Sequence, residues 1–165
     1  MRRHPDLSET SRWLIEELLD ELAYVLEKLT RVESRLREAT RDDPVIARLR
    51  TIEGIGEVTS WVLRAVVGRF DRFRNAKQLC RYCGLTPRNI STGNRQVQGE
   101  LIDVVDRRLR AILIQAAQRL IRTVDPWRAL ADRLIEAGKP RNVAVAAVAN
   151  RWMRTVHRRM TCMAA

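Results

Sequence analysis

The sequence predicts an all-α protein, in which a long N-terminal helix of coiled-coil type precedes a helical domain containing a helix-hairpin-helix. Three observations support this class. Apolar residues recur at spacings of three and four along most of the 165 residues. Only 2 Phe and 2 Tyr are present, and clusters of β-branched residues, which favour strands, are few. The 7 Gly and 5 Pro leave most of the chain free to form regular structure.

Residues 1–44 carry a heptad pattern that predicts a linker helix. The a and d positions between residues 11 and 37 are apolar: Ile15, Leu18, Leu22, Val25, Leu29, Val32 and Leu36. Further leucines at positions 14, 19 and 26 widen this stripe, so the helix needs a broad partner surface. A coiled-coil dimer and packing against its own domain are the two solutions. We expect a homo-oligomer through residues 11–37, with the helix ending before Pro44.

The second predicted domain, residues 45–165, begins with a glycine hairpin between two apolar-periodic helices. Glycines at positions 54 and 56 flank Ile55 in this turn, and glycine allows both a sharp turn and close approach of DNA to the backbone. The following helix would direct its free N–H groups and positive dipole end at a phosphate. We therefore predict that Gly54, Ile55 and Gly56 bind the DNA backbone, without reading sequence. An ordinary helical turn with a glycine C-cap is the alternative.

Four more helices follow in the prediction. Asn75 caps a short helix, an amphipathic helix runs from Leu101 to about residue 120, and another extends from Pro126 to about residue 137. The last helix begins at Asn142, and its residues predicted to face inward are Val143, Ala147, Asn150, Met153, Val156 and Met160. Residues 84–100 are rich in Gly, Asn, Ser and Thr and are predicted to form one long polar loop.

Charge points to a polyanionic partner. The chain has 31 Lys+Arg against 20 Asp+Glu and a net charge of +11. Residues 1–44 are net acidic, so the excess of cations lies in the second domain. Such a charge attracts nucleic acid over long range, and arginine, which predominates here, binds phosphate bidentately. A GC-rich genome would produce the same arginine bias.

Cysteine usage and the N-terminus indicate an intracellular protein without metal or cofactor. Three cysteines do not make a disulfide framework, and we expect Cys80 and Cys83 to pack in the core rather than to bind metal. The start runs into charged residues, not into a signal peptide, and no apolar run is long enough for a bilayer. We expect no membrane contact and a cytoplasmic, nucleoid-associated location in a bacterium.

Ordered motifs in this chain resemble the bridge-RNA-guided insertion-sequence transposases of the IS110/IS116/IS902 type. The matching runs are T-I-E-G-I-G (51–56), R-F-R-N-A-K-Q-L (72–79), G-L-T-P-R-N (84–89), S-T-G-N-R-Q (91–96) and L-R-A-I-L-I-Q-A-A (109–117). The resemblance covers about residues 49–160, and the acidic helix before them is similar to the coiled-coil linker of the family.

The resemblance implies part of a two-part enzyme that carries out DNA transposition and recombination. In such enzymes a RuvC-like domain supplies acidic ligands for divalent metal, a helical domain supplies a serine that joins covalently to DNA, and a guide RNA selects the DNA. The serine corresponds to Ser91, or to Thr92 if the residue directly before the glycine is the nucleophile.

The same resemblance places a DNA surface around this turn. Arg88 and Arg95 would contact phosphates, and the turn itself is formed by Gly93 and Asn94. We assign two arginines of the following helix, Arg107 and Arg110, to the same DNA surface.

Two departures from the family shape the functional prediction. No RuvC-like domain precedes residue 1, and the segment Ile102–Asp106 has acids where the family has Lys and Gly. We therefore expect a truncated or decaying copy, a C-terminal DNA-binding part whose serine works only when a RuvC-like half is supplied. The alternative is a non-catalytic, structure-preferring DNA-binding remnant that dimerises through its N-terminal helix.

Overall fold

The computed structural model describes the backbone of residues 7–92, 95–101 and 106–162. Within those ranges the chain forms seven α-helices and two β-strands. It divides into two compact units, Met1–Asp43 and Pro44–Ala165.

The first unit is the single helix α1 (Glu9–Ala39). Its start is capped by Ser8, whose hydroxyl accepts a hydrogen bond from the Ser11 amide at 3.2 Å. Exposed ion pairs one turn apart, Glu27–Arg31 and Glu33–Arg37, lie along its polar side. None of its residues is buried, so the whole apolar stripe of the heptads is open to solvent.

The second unit has a helical core. Its helices are α2 (Pro44–Arg50), α3 (Glu57–Val66), α4 (Ala76–Tyr82), α5 (Arg107–Thr123), α6 (Asp125–Glu136) and α7 (Arg141–Thr161). Asn75 caps α4 as predicted, its side chain accepting from the Gln78 amide at 3.0 Å. Helix α7 packs against α2, α4, α5 and α6. The predicted all-α class is therefore confirmed, because most of the buried core residues lie on helices.

Helix α7 is also tied by side-chain hydrogen bonds to three connecting segments. Trp152 is buried and donates its indole N–H to the carbonyl of Glu53 at 2.8 Å. Asn150 donates through Nδ2 to the carbonyl of Leu85 at 2.8 Å. The Nε2 atom of His157 lies 3.1 Å from the carbonyl oxygen of Phe73. These bonds satisfy buried backbone groups outside the helices and hold the turns against the core.

The polar loop predicted at residues 84–100 is wrong in its secondary structure. Strands β1 (Pro87–Thr92) and β2 (Arg95–Leu101) pair there as an antiparallel hairpin with Thr92 opposite Arg95. The next helix accordingly starts later than expected, at Arg107, where Asp106 caps the amides of Arg108 and Leu109. A composition rich in turn-forming residues is typical both of an irregular loop and of the segment around a β-hairpin.

Candidate nucleic-acid interface

A basic groove lies on the second unit, among the residues that the structure describes. Its volume is about 1580 Å³. One side is the outer face of α7, the other includes α5, and the root of the β-hairpin at Pro87 and Leu101 closes one part of the wall. The groove is thus built by elements that are far apart in sequence and held together by the core.

The groove lining is strongly cationic. Its charged members are Arg110, Lys139, Arg151, Arg154 and Arg158, and no Asp or Glu is among the described lining residues. A concave surface with one sign of charge focuses the electrostatic potential and attracts anionic ligands.

The start of α7 opens into this groove. Lys139, Pro140 and Asn142 line it at this end, and Pro140 is the N-cap residue, with no side-chain cap hydrogen bond. The positive end of the helix dipole adds to the lysine charge there. From Asn142 to Arg158 the helix extends for about 24 Å, a length comparable with roughly seven nucleotides of one strand.

The apolar residues predicted to turn inward on α7 were partly misplaced. Met153, Val156 and Met160 are buried as predicted. Val143, Ala147 and Asn150 line the groove instead, and Ala144, Val148 and Trp152 are buried in that part of the helix. The run of alanine and valine is apolar on every side, so hydrophobic periodicity does not identify its core face.

Two buried cysteines lie beside the groove. Cys80 and Cys83 are buried, and the Cys80 thiol donates to the carbonyl of Asn150 at 3.3 Å. Burial raises the pKa of Cys83 to about 12. It also raises the pKa of Cys80, against the opposing effect of the Arg154 charge. Both groups are neutral thiols at neutral pH, in agreement with the predicted role in core packing.

The structure places the glycine turn between α2 and α3, and gives its two glycines different surroundings. Gly54 has a φ of +84°, and a Cβ added there would lie 2.8 Å from the side chain of Leu120. The missing side chain of Gly54 therefore makes room for α5, not for an external ligand. Gly56 is the N-cap of α3, and an added Cβ would meet nothing within 4 Å. The Ile55 side chain is buried, so only its backbone is available to a ligand.

Acidic residues surround this turn. Glu57 occupies the first turn of α3 and lies 3.7 Å from Arg50. A carboxylate at a helix N-terminus competes for the dipole with any incoming phosphate. The electrostatics of the turn are thus weaker for a polyanion than those of the basic groove.

The remaining predicted site residues lie on the hairpin and on α5. Ser91 and Thr92 are at the end of β1, opposite Gln96 and Arg95. Arg88 lies where the strand register shifts. Gly93 and Asn94 lie outside the described residues.

Both predicted arginines of α5 are placed by the structure, which brings one of them into the groove. Arg107 is an exposed residue in the first turn of α5, and Arg110 lines the groove. Most groove cations, in particular Lys139, Arg151 and Arg154, were not among the predicted site residues. The shared face of Arg151 and Arg154 on α7 was a usable signal.

A metal site is not supported by the described residues. They contain no group of three or more His, Cys, Asp or Glu side chains placed to hold a metal ion. The helices described also include none that is long and apolar enough to cross a bilayer.

Comparison with known proteins gives a consistent family. The model of the transposase IS116/IS110/IS902 family matches residues 46–132. A probable family 20 transposase of Pseudomonas aeruginosa is 32% identical over 141 residues, which cover 84% of this chain and 42% of that protein.

Two further relatives are transposases of named insertion sequences. The transposase for insertion sequence element IS1328 of Yersinia enterocolitica is 30% identical over 105 residues, 64% of this chain and 31% of the relative. That for IS1111A of Coxiella burnetii is 32% identical over 92 residues, 56% of this chain and 25% of the relative. The chain therefore matches less than half the length of each of these three relatives.

Proposed function

The chain belongs to the transposase IS116/IS110/IS902 family, and from this premise we propose that its second unit holds the phosphate backbone of DNA in the basic groove during transposition. The observation that carries the proposal is the groove lining, which has five cations and, among the described residues, no acid. Transposition brings DNA strands to the protein, and the phosphates are the one group that every DNA sequence presents.

The geometry of the groove suits a strand backbone better than a compact anion. Three of its cations, Arg151, Arg154 and Arg158, lie at successive turns over about 10 Å of α7, and Lys139 precedes the other end of this helix, so the cations do not converge on one point. Arginine forks at successive turns can each bind a phosphate oxygen pair. Binding of this kind is tolerant of sequence and strongly dependent on salt.

A triple substitution in the groove tests the proposal. In Arg151→Gln/Arg154→Gln/Arg158→Gln, we expect affinity for a labelled duplex at about 100 mM salt to fall at least tenfold, since charge-assisted bonds are lost. The slope of log affinity against log salt concentration should become shallower, by about 0.9 for each phosphate contact removed. Fluorescence anisotropy between about 50 and 200 mM salt measures both quantities.

The matched control removes the same charge outside the groove. Arg81, Arg119 and Arg122 are exposed and do not line it, so Arg81→Gln/Arg119→Gln/Arg122→Gln should retain most of the affinity and slope. Equal losses in both triple variants would show that net charge, and not the groove, binds DNA. An unlabelled RNA duplex as competitor determines whether the groove also accepts a guide RNA.

The glycine turn is proposed as a secondary backbone contact, in the role expected of a helix-hairpin-helix. Its support is the open backbone at Gly56, where no neighbouring atom would obstruct a ligand. Because Glu57 lies beside it, this contact is proposed to position DNA rather than to supply most of the affinity.

The hairpin is proposed to present the nucleophile, as the family resemblance implies. In that reaction the Ser91 hydroxyl loses its proton and its oxygen forms a bond to phosphorus, while the bond from phosphorus to the departing nucleotide oxygen breaks and that oxygen takes up a proton. Arg88 and Arg95 are proposed to offset charge on the phosphoryl oxygens. The divalent metal expected for a RuvC-like half has no fitting ligand set among the described residues, and no step here depends on it.

Covalent adduct formation tests this assignment. With a RuvC-like half supplied, Ser91→Ala should abolish the protein–DNA adduct on a denaturing gel and leave DNA affinity unchanged, because the hydroxyl serves chemistry and not binding. Thr92→Ala is the matched variant and should retain the adduct. An adduct that survives in Ser91→Ala and disappears in Thr92→Ala would transfer the role to Thr92.

A non-catalytic alternative keeps the binding and omits the chemistry. In this case the chain is a structure-preferring DNA-binding protein that assembles through α1. The acidic residues beside the glycine turn are compatible with this alternative, because the groove alone would provide the DNA binding. Groove-dependent binding with no adduct in the presence of the RuvC-like half would favour it.

Helix α1 is proposed to associate with a second copy of the chain. Twelve large apolar residues of α1 are at least 38% exposed. An apolar stripe repeated every 3.5 residues over three heptads is the pattern that coiled coils bury.

A further inference from the structure

Helix α1 carries a charge pattern that distinguishes between the two directions in which a second copy can pair with it. We propose that two copies of the chain associate through α1 in antiparallel orientation, with Leu22 of one copy facing Val25 of the other. This inference rests on the self-association proposed above and adds its direction and register.

The two ends of α1 have opposite electrostatic character. Residues 9–22 contain five acids and one arginine, whereas residues 25–38 contain three acids and four bases. A parallel pair sets the two acidic ends side by side. An antiparallel pair sets each acidic end beside the more basic end of its partner, which lowers the repulsion between copies.

The register follows from the heptads. In an antiparallel pair each a position faces a d position, and the pairing of Leu22 with Val25 places Leu18 opposite Leu29. It overlaps the helices over their entire described length, from Glu9 to Ala39. A shift by one heptad in one direction leaves Leu29, Val32 and Leu36 without apolar partners. A shift in the other direction sets Lys28 of one copy against Lys28 of the other.

The flanking positions agree with this register. In antiparallel pairs, g positions face g positions and e positions face e positions. Glu21 of one copy then faces Lys28 of the other, and Arg12 faces Glu33, so that the symmetric pair has four contacts between opposite charges and none between like charges at these charged positions. The parallel pair has only the two contacts between Lys28 and Glu33.

The side chains involved are able to make these contacts. Leu22 and Val25 are 52% and 51% exposed, so the core positions are open to a partner. Glu33 already accepts from Arg37 at 3.2 Å, but a carboxylate has further acceptor sites for Arg12 of the second copy.

Disulfide cross-linking of the full chain determines the direction. In a Cys162→Ser background, we expect neither Leu18→Cys nor Leu29→Cys alone to form a dimer disulfide. In an antiparallel dimer of either variant, the two introduced thiols lie about 16 Å apart along the helix axis. A mixture of the two variants, one carrying a size tag, should form the mixed disulfide. A disulfide between two copies of the same variant, with no mixed disulfide in the mixture, would establish parallel pairing and overturn the proposal.

Charge exchange gives a second measurement that does not depend on cysteines. Glu21→Lys should raise the dimer dissociation constant about tenfold, since two attractive contacts become repulsive, and adding Lys28→Glu should restore it. In a parallel pair the second substitution would weaken the dimer further. A monomer in sedimentation at all accessible concentrations would refute self-association itself, whatever the groove binds.

Discussion

Replacing Trp152 by alanine is expected to lower the free energy of unfolding of the second unit by about 3–5 kcal/mol. The side chain is only 1% exposed and lies on the helix that packs against four others. Its removal leaves a large cavity, and the Glu53 carbonyl loses its donor at 2.8 Å. Urea unfolding at a fixed protein concentration, followed by far-ultraviolet circular dichroism, measures the loss.

Two matched variants separate the causes. Trp152→Phe keeps most of the apolar volume but not the N–H donor, and should cost about 1–3 kcal/mol. Arg151→Ala changes an exposed neighbour on the same helix and should alter stability by no more than about 0.5 kcal/mol. A Trp152→Ala protein as stable as Arg151→Ala would contradict the central role assigned to α7.

The second large effect is expected for Gly54→Ala, which should destabilise the second unit by about 2–4 kcal/mol. Alanine at a φ of +84° costs about 1–2 kcal/mol, and the added methyl would lie 2.8 Å from the buried Leu120 side chain, for roughly 1–3 kcal/mol of overpacking. The lower entropy of the unfolded alanine chain offsets part of this cost.

A double-mutant cycle identifies the Leu120 contribution. Leu120→Ala alone removes buried volume, but in the Gly54→Ala background it should cost less, because it also removes the clash. Gly56→Ser is the control at the other glycine, where space is open, and should change stability by at most about 0.5 kcal/mol. Additive effects of Gly54→Ala and Leu120→Ala would mean that the two residues do not meet.

Local signals were sufficient for the helical elements. The heptad stripe of α1 and the cap at Asn75 each depend on residues within a turn or two of one another. Such signals are readable because neighbours in sequence are neighbours in a helix. Pro44 likewise marks the boundary of the second unit by restricting the residue before it.

The hairpin was not predicted because its sequence is equally compatible with a hairpin and with an irregular loop. Gly93-Asn94 between short polar runs is a two-residue hairpin signal, but Ser, Thr, Asn and Gly are also typical of irregular loops. Ile90 and Val97, which pair across the strands, are too few to form an apolar face that would have fixed the choice.

The groove and the function of Gly54 depend on contacts between distant residues. Arg110, Lys139 and Arg154 come from three different parts of the chain, and only the packing of α5 against α7 brings them to one surface. Similarly, the turn at Gly54 was predictable, whereas the approach of Leu120, which makes glycine necessary there, was not. Knowing the apolar face of each helix does not specify which helices pack against one another.

The hydrogen bonds from α7 to the turns have a consequence for the shape of any bound duplex. Trp152 and Asn150, two residues apart on one helix, secure the glycine turn at Glu53 and the approach to the hairpin at Leu85. The protein surface at these points is therefore preorganised and loses little conformational entropy on association. If the groove binds a duplex as proposed, the DNA has to adjust its shape, so stiff and easily bent sequences should differ in affinity.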